Sequence, residues 1–243
     1  MTMTPEEFRE NLVLSTVPIR RYEATLLPGG IASACMVDYH GKRILLSVQH
    51  ATGDMGDWGI QCRYEPGKGT AVWRIGSMCF IKRMSTSSGE ARNVDLSYVE
   101  IPDDLKITDQ TINPLTGTIE KETDRRIGKV DFSLTPSREV EYGFSGQVLP
   151  TVSGSHLTTE LRVYTGLVYD GDHDDYYRFK LPMAHPGHEQ FKGCSGAPIM
   201  DAEGHIVALV CFGDIDANAI FGVSLKKYEM MLSASYGPLS QCT

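Results

Sequence analysis

The sequence predicts an all-β protein built from two successive β units. Three observations carry this. The 24 glycines and 12 prolines in 243 residues favour short strands and turns over long helices. Short apolar runs recur between Gly-, Pro- and Asp-bearing turn signals. A polar stretch near 102–130 then divides the runs into two series. Length alone admits two small barrels or one large α/β domain, and a hydrophobic content of 41% suffices for a sizeable core.

In order, Pro5 to Leu14 reads as a helix, with Pro5 in its first turn and acidic residues early. Strands are expected over Tyr22–Leu27, Ile31–Tyr39, Arg43–Val48, Trp58–Tyr64, Thr70–Lys82 and Val94–Ile101. The breaks between them carry Pro28-Gly29-Gly30, His40-Gly41, Thr52-Gly53-Asp54, Pro66-Gly67-Lys68-Gly69 and Ser85 to Glu90. The next stretch, with Asn113-Pro114 and a charge cluster at Glu120 to Arg126, reads as a crossing between units with some irregular strand. A second series follows: Glu139–Phe144, Gln147–Leu149, Glu160–Tyr169, Tyr176–Leu181, Ala197–Met200, His205–Phe212 and Ile220–Leu225. The chain closes on a helix, Leu225 to Ala234, in which Tyr228, Met230 and Met231 are expected to face the core. The sequence carries no internal repeat and no low-complexity tract.

The chemistry concentrates at Gly193-Cys194-Ser195-Gly196-Ala197-Pro198. A serine between two glycines has little side-chain cover, and the sharp turn around it aims successive N–H groups at one point, as a developing oxyanion requires. The competing reading is a glycine-rich hairpin that happens to hold a serine. His50 ends the strand Ile44-Leu45-Leu46-Ser47-Val48, held by the strand yet able to reach a cleft. Asp95 sits in the otherwise apolar Asn93-Val94-Asp95-Leu96-Ser97-Tyr98-Val99, where a carboxylate needs a donor such as an imidazole N–H.

The three occur in the order His, Asp, Ser, and the chain resembles the chymotrypsin/trypsin-like serine peptidases. Ser47-Val48-Gln49-His50-Ala51 resembles that family's histidine motif, and Asp95-Leu96-Ser97-Tyr98-Val99 its aspartate strand. Gly193-Cys194-Ser195-Gly196-Ala197-Pro198 is similar to its Gly-Asp-Ser-Gly-Gly-Pro. Tyr142-Gly143-Phe144-Ser145-Gly146 is similar to a glycine turn early in its second barrel. The resemblance spans about 20–235 and implies two packed six-stranded antiparallel β-barrels with a short N-terminal and a C-terminal helix. Residues 15–120 would carry the histidine and aspartate, and 121–243 the serine. It further implies Ser195 as nucleophile, His50 as general base and then acid, Asp95 as the group that orients His50, and the N–H groups of Gly193 and Ser195 as the oxyanion hole. By position, Glu189 would lie at the base of the specificity pocket, with Cys211, Phe212, Gly213 and Gly222 along its wall, so cleavage after arginine or lysine is expected.

The departures are informative. Cys194 stands where the family has an aspartate that, in secreted relatives, pairs with a freshly cleaved N-terminus. Activation by N-terminal cleavage is therefore not expected. Unless other packing braces the loop, the isolated protein should be weakly active or need an activating protein partner. Gln49 and Ala197 also differ from the family's alanine and glycine. Cys194 as a thiol nucleophile is the lesser reading, because cysteine-using relatives place the thiol where Ser195 stands.

The expected activity is that of a serine endopeptidase acting on protein or peptide substrates without a cofactor. The alternatives are an idle double barrel serving as a binding or scaffold module, and a metal-dependent hydrolase. The tract Asp170-Gly171-Asp172-His173-Asp174-Asp175, with His185 and His188, invites the metal reading but lacks a calcium loop's turn glycine and distal glutamate. It reads better as a charged hairpin tip. A net charge of −8 and a pI near 5.4 argue against nonspecific nucleic-acid or anionic-membrane binding, and no run approaches a membrane span. With no secretory signal apparent and six cysteines lacking Cys-x-x-Cys spacing, reduced thiols in a bacterial cytoplasmic protein are expected.

Overall fold

The computed structural model describes residues 3–22, 28–53, 56–84, 89–113, 115–153 and 156–237. Cys242, Pro114 and most of the strand expected over Tyr22–Leu27 lie outside them. Helix α1 (Pro5–Ser15) starts on a capping box: the Thr4 hydroxyl accepts the Glu7 N–H, and the Glu7 carboxylate accepts the Thr4 N–H at 2.8 Å. There follow β1 (Val17–Tyr22), β2 (Pro28–Tyr39), β3 (Lys42–Ser47), the short helix α2 (Gln49–Thr52), β4 (Asp57–Glu65), β5 (Gly69–Arg74), β6 (Cys79–Met84) and β7 (Ala91–Glu100). These strands form one antiparallel sheet in the order β5-β4-β1-β2-β3-β7-β6.

After β8 (Thr108–Ile112), β9 (Ile119–Asp124) and β10 (Lys129–Val130) come β11 (Glu141–Ser153), β12 (His156–His173) and β13 (Tyr176–Lys180). A 3-10 turn over His188–Gln190 precedes β14 (Pro198–Asp201), β15 (His205–Asp214), β16 (Ala219–Ser224) and helix α3 (Leu225–Tyr236). In this half β11 to β16 close into a six-stranded barrel through the β15–β16 pairing, and β10 adds a parallel edge on β15. The first half differs in strand count from the expected six: it is a seven-stranded sheet whose end strands, β5 and β6, are not paired to each other among the described residues.

Two segments depart from the sequence expectation for physical reasons. The run Thr70–Lys82 is two strands, because Gly76 takes φ +71° and turns the chain from β4's partner to β7's. Ile75 and Met78 remain buried across the break, so apolar periodicity alone does not reveal it. The polar crossing is a regular hairpin, β8–β9, and the expected division at residue 120 falls within β9. Its charges serve α1. The Arg125 guanidinium donates to the carbonyls of Val13 (2.7 Å) and Thr16, which end the helix, and pairs with Asp109 at 2.7 Å.

Helix α1 beds on the second half rather than the first. A Cβ at Gly143 of β11 would crowd Leu12 Cδ1 (2.8 Å) and Phe8 Cζ (3.2 Å). Phe8 and Leu12 join one core with Val37 and Leu46 of the first sheet and Met200 and Leu209 of the second. In α3, Tyr228 and Leu232 are buried one turn apart, whereas Met230 is 80% exposed and Met231 39%. The helical period thus overturns the core placement expected for the methionine pair.

Candidate active site

Strand β3 delivers the chain to α2 with its last extended residue, Val48. His50 therefore stands in the first turn, beside β7, which pairs with β3 at Ser47↔Ser97. Asp95 on β7 accepts the His50 backbone N–H (2.9 Å), and its two oxygens lie 3.0 and 2.8 Å from ring Nδ1. An ionised carboxylate only accepts, so Nδ1 carries the proton and Nε2 is left as an acceptor. Ser195 Oγ lies 3.0 Å from that Nε2. Burial tends to raise the Asp95 pKa, but the imidazole bond and charge, the His50 N–H and a bond from the Cys211 thiol outweigh it and hold the carboxyl below its usual range. The side chain of Asp95 is 13% exposed and that of His50 45%, so the pair opens to solvent on the histidine side.

The turn that carries Ser195 is closed by backbone bonds. The Cys194 N–H donates to Phe191 C=O, the Gly196 N–H to Val210 C=O and the Ala197 N–H to Cys194 C=O, each at 2.8 Å. Of the five N–H groups from Gly193 to Ala197, only those of Gly193 and Ser195 find no protein acceptor among the described residues. Buried donors are seldom left unpaired without a purpose, and these two are the pair expected to form the oxyanion hole. Gly193 at φ +107° and Gly196 at φ +87° take conformations that require glycine.

Ser33 of β2, which the sequence reading passed over, grips this loop. Its N–H donates to Ser195 C=O at 2.8 Å and its hydroxyl to Gly193 C=O at 2.7 Å, while its own carbonyl accepts the Ser47 hydroxyl at 2.7 Å. The only sequence signal was a small polar residue within the apolar run Ile31-Ala32-Ser33-Ala34-Cys35. Cys194 is fully buried against the bare backbone of Gly146, where a Cβ would stand 2.6 Å from its sulfur. Burial pushes its thiol up to about 12, so it is a packed, protonated side chain rather than a nucleophile. Gln49 folds back against Gly53 at the end of α2, and Ala197 packs into the second core.

Beside Ser195 opens a cleft of about 260 Å³ lined by Phe191, Cys211, Phe212, Gly213 and Ile220, with His188, Glu189 and Lys192. Three of the four expected wall residues are there. Gly222 is not: it lies inside the barrel, paired with Val210 and Tyr177, where a Cβ would meet Ile199 Cδ1 at 2.6 Å. Glu189 stands on the rim instead of the base, because the His188–Gln190 turn lifts it outward. Its side chain is 78% exposed and lies 3.8 Å from Lys192 Nζ. The His185 ring packs against Gly213, edge-on to Phe191 (centroids 4.9 Å apart).

The acidic tract forms the β12–β13 hairpin tip. Asp175 binds Arg83 (2.5 Å) and Arg92 (2.8 Å), and Asp172 binds Lys227 (2.9 Å). Among the described residues no group of three or more His, Cys, Asp or Glu side chains is placed to hold a metal, and no helix is long and apolar enough to cross a membrane.

These features define the chymotrypsin-like all-β fold of serine proteases, and comparison with solved structures bears this out. The chain superposes on a serine endoprotease from Yersinia pestis with a TM-score of 0.58 and 9% identity, covering 97% of this chain and 68% of that one. It matches HL collagenase with a TM-score of 0.59 and 10% identity, covering 94% and 95%. It matches a scabies mite inactivated protease paralogue with a TM-score of 0.59 and 7% identity, covering 94% and 93%. No protein-family model and no curated protein matches the sequence.

Proposed function

We propose that the protein is a serine endopeptidase that cleaves peptide bonds through an acyl-enzyme. The observation that carries this reading is the continuous chain from Asp95 through His50 to the Ser195 hydroxyl, with Nε2 of the imidazole 3.0 Å from Oγ. Ser195 Oγ attacks the scissile carbonyl carbon while His50 Nε2 takes its proton. The imidazolium so formed is stabilised by the Asp95 carboxylate. The carbonyl oxygen, now an oxyanion, accepts from the free N–H groups of Gly193 and Ser195. Collapse of the tetrahedral species expels the amine, which takes the proton from Nε2. Water then repeats the sequence on the ester, with His50 again as base, and releases Ser195.

A fluorophosphonate probe tests the reading directly, since it labels only an activated serine. Labelling of the wild-type chain that is lost in Ser195→Ala supports it. Absence of labelling in the wild type favours the alternative, a catalytically idle binding module, which the fold also accommodates. Trypsin-like preference for arginine rests on Glu189, which must reach inward from the rim and exchange Lys192 for substrate. A peptide-library profile unchanged by Glu189→Gln would remove it. A cytoplasmic, reducing location suits the five described cysteines, all free thiols.

A further inference from the structure

We propose that the Ser33 hydroxyl is a positioning residue that holds the oxyanion loop in its competent form, so that the loop needs neither an N-terminal ion pair nor a partner. This rests on the serine-peptidase reading for its meaning, though not for its test.

The peptide unit between Gly193 and Cys194 is fixed at both ends. Its carbonyl accepts the Ser33 hydroxyl at 2.7 Å, and its N–H donates to Phe191 C=O at 2.8 Å. The second contact closes a four-residue turn over 191–194, and Gly193, in its third place, takes the positive φ that a type II turn requires there. The preceding peptide, which carries the Gly193 N–H, is the one whose rotation separates type II from type I. In type II this N–H is left free for an oxyanion. In type I it turns away.

Ser33 itself is anchored. It is 1% exposed, its N–H holds Ser195 C=O, and its carbonyl is held by Ser47. A Cβ at Gly196 would run into that carbonyl and the Ser47 hydroxyl, so glycine alone allows β2 to approach this closely. The rest of the brace is neutral as well. Cys194 fills the notch at Gly146, and the Tyr164 hydroxyl donates to Gln190 C=O at 2.8 Å just before the turn. A buried hydroxyl on a first-sheet strand thus occupies the role that an ion pair to residue 194 would otherwise fill. Because it is present in the folded chain, no cleavage is needed to create it.

The test compares the full wild-type chain with Ser33→Ala and Ser33→Cys. Amide hydrogen exchange measured by NMR is independent of activity. Ser33→Ala leaves the backbone bond to Ser195 intact but frees Gly193 C=O, so the Cys194 N–H should exchange about tenfold faster. Exchange at barrel amides such as Val223 should be unchanged. In the catalytic arm, kcat should fall roughly 10- to 100-fold with KM within about twofold. Affinity for a peptide aldehyde should fall by the same factor, while affinity for the product peptide should not. Ser33→Cys, which keeps a weak donor, should lie between, and it decides the matter if the alanine variant does not fold. Unchanged Cys194 exchange, or a loss of kcat with aldehyde and product affinities falling together, would overturn the proposal. A wild-type chain that neither hydrolyses nor labels would refute the peptidase reading, and the exchange arm would still decide whether Ser33 braces the loop.

Discussion

At the scale of single residues, the strongest consequences concern Ser195 and Asp95. On the proposed mechanism Ser195→Ala should reduce kcat by about 10⁶-fold, since nucleophile and base would act as one unit. The melting temperature should barely move, because among the described residues the hydroxyl's hydrogen bond is to the imidazole alone. Cys194→Ser should retain most activity, whereas survival of activity in Ser195→Ala and its loss in Cys194→Ser would reverse the assignment. Asp95→Asn should lower kcat on the order of 10⁴-fold by disturbing the tautomer of His50. The depressed carboxyl also makes a statement about stability. A group whose folded pKa lies below its unfolded value stabilises above the unfolded value, about 3.9. That stability is lost as pH falls through the folded pKa. Thermal melts between pH 5 and 3 should therefore show a smaller acid-induced drop in Asp95→Asn than in the wild type.

At the scale of elements, the turn after residue 191 is where sequence and structure are most tightly bound. Gly196→Ala places a Cβ against Ser33 C=O at a φ of +87°, and should cost on the order of 3 kcal/mol. For a chain of this size the melting temperature should fall by roughly 6–12 °C, together with probe labelling. This motif was legible because its demands on backbone conformation leave few choices of residue. His50 and Asp95 were legible as polar residues punctuating apolar strands. Ser33 was not, since a serine in a strand looks the same whether it faces a neighbouring strand or a loop 160 residues away. The rim position of Glu189 escaped for a related reason: counting back from Ser195 fixes a place in the chain, while the turn at His188–Gln190 sets which way the side chain leaves it. Strand boundaries were read least well where buried apolar residues run through a turn, as at Ile75 and Met78.

At the scale of the molecule, His50 and Asp95 ride on one sheet and Ser195 on the other, while α1 and α3 fill the seam. The shared core implies one cooperative unit. Phe8→Ala should destabilise by about 3–5 kcal/mol, and calorimetry should still show a single transition in which van't Hoff and measured enthalpies agree. Two separate transitions would mean that the halves fold independently. The division into two β series was plain in the sequence, but the allegiance of α1 to the second of them was not, because nothing in an amphipathic helix names its partner.

That allegiance has a consequence in time. Phe8 and Leu12 leave the ribosome well before Gly143 and Met200, the residues they come to pack with, have been made. At roughly 5–20 residues per second, synthesis of the intervening stretch takes on the order of ten to forty seconds. Throughout that interval α1 is without its seat and His50 is without the Ser195 hydroxyl it meets in the folded chain. On the proposed peptidase reading, a nascent chain is thus harmless to itself and to its neighbours on the polysome until Ser195 has been made and the thread drawn closed.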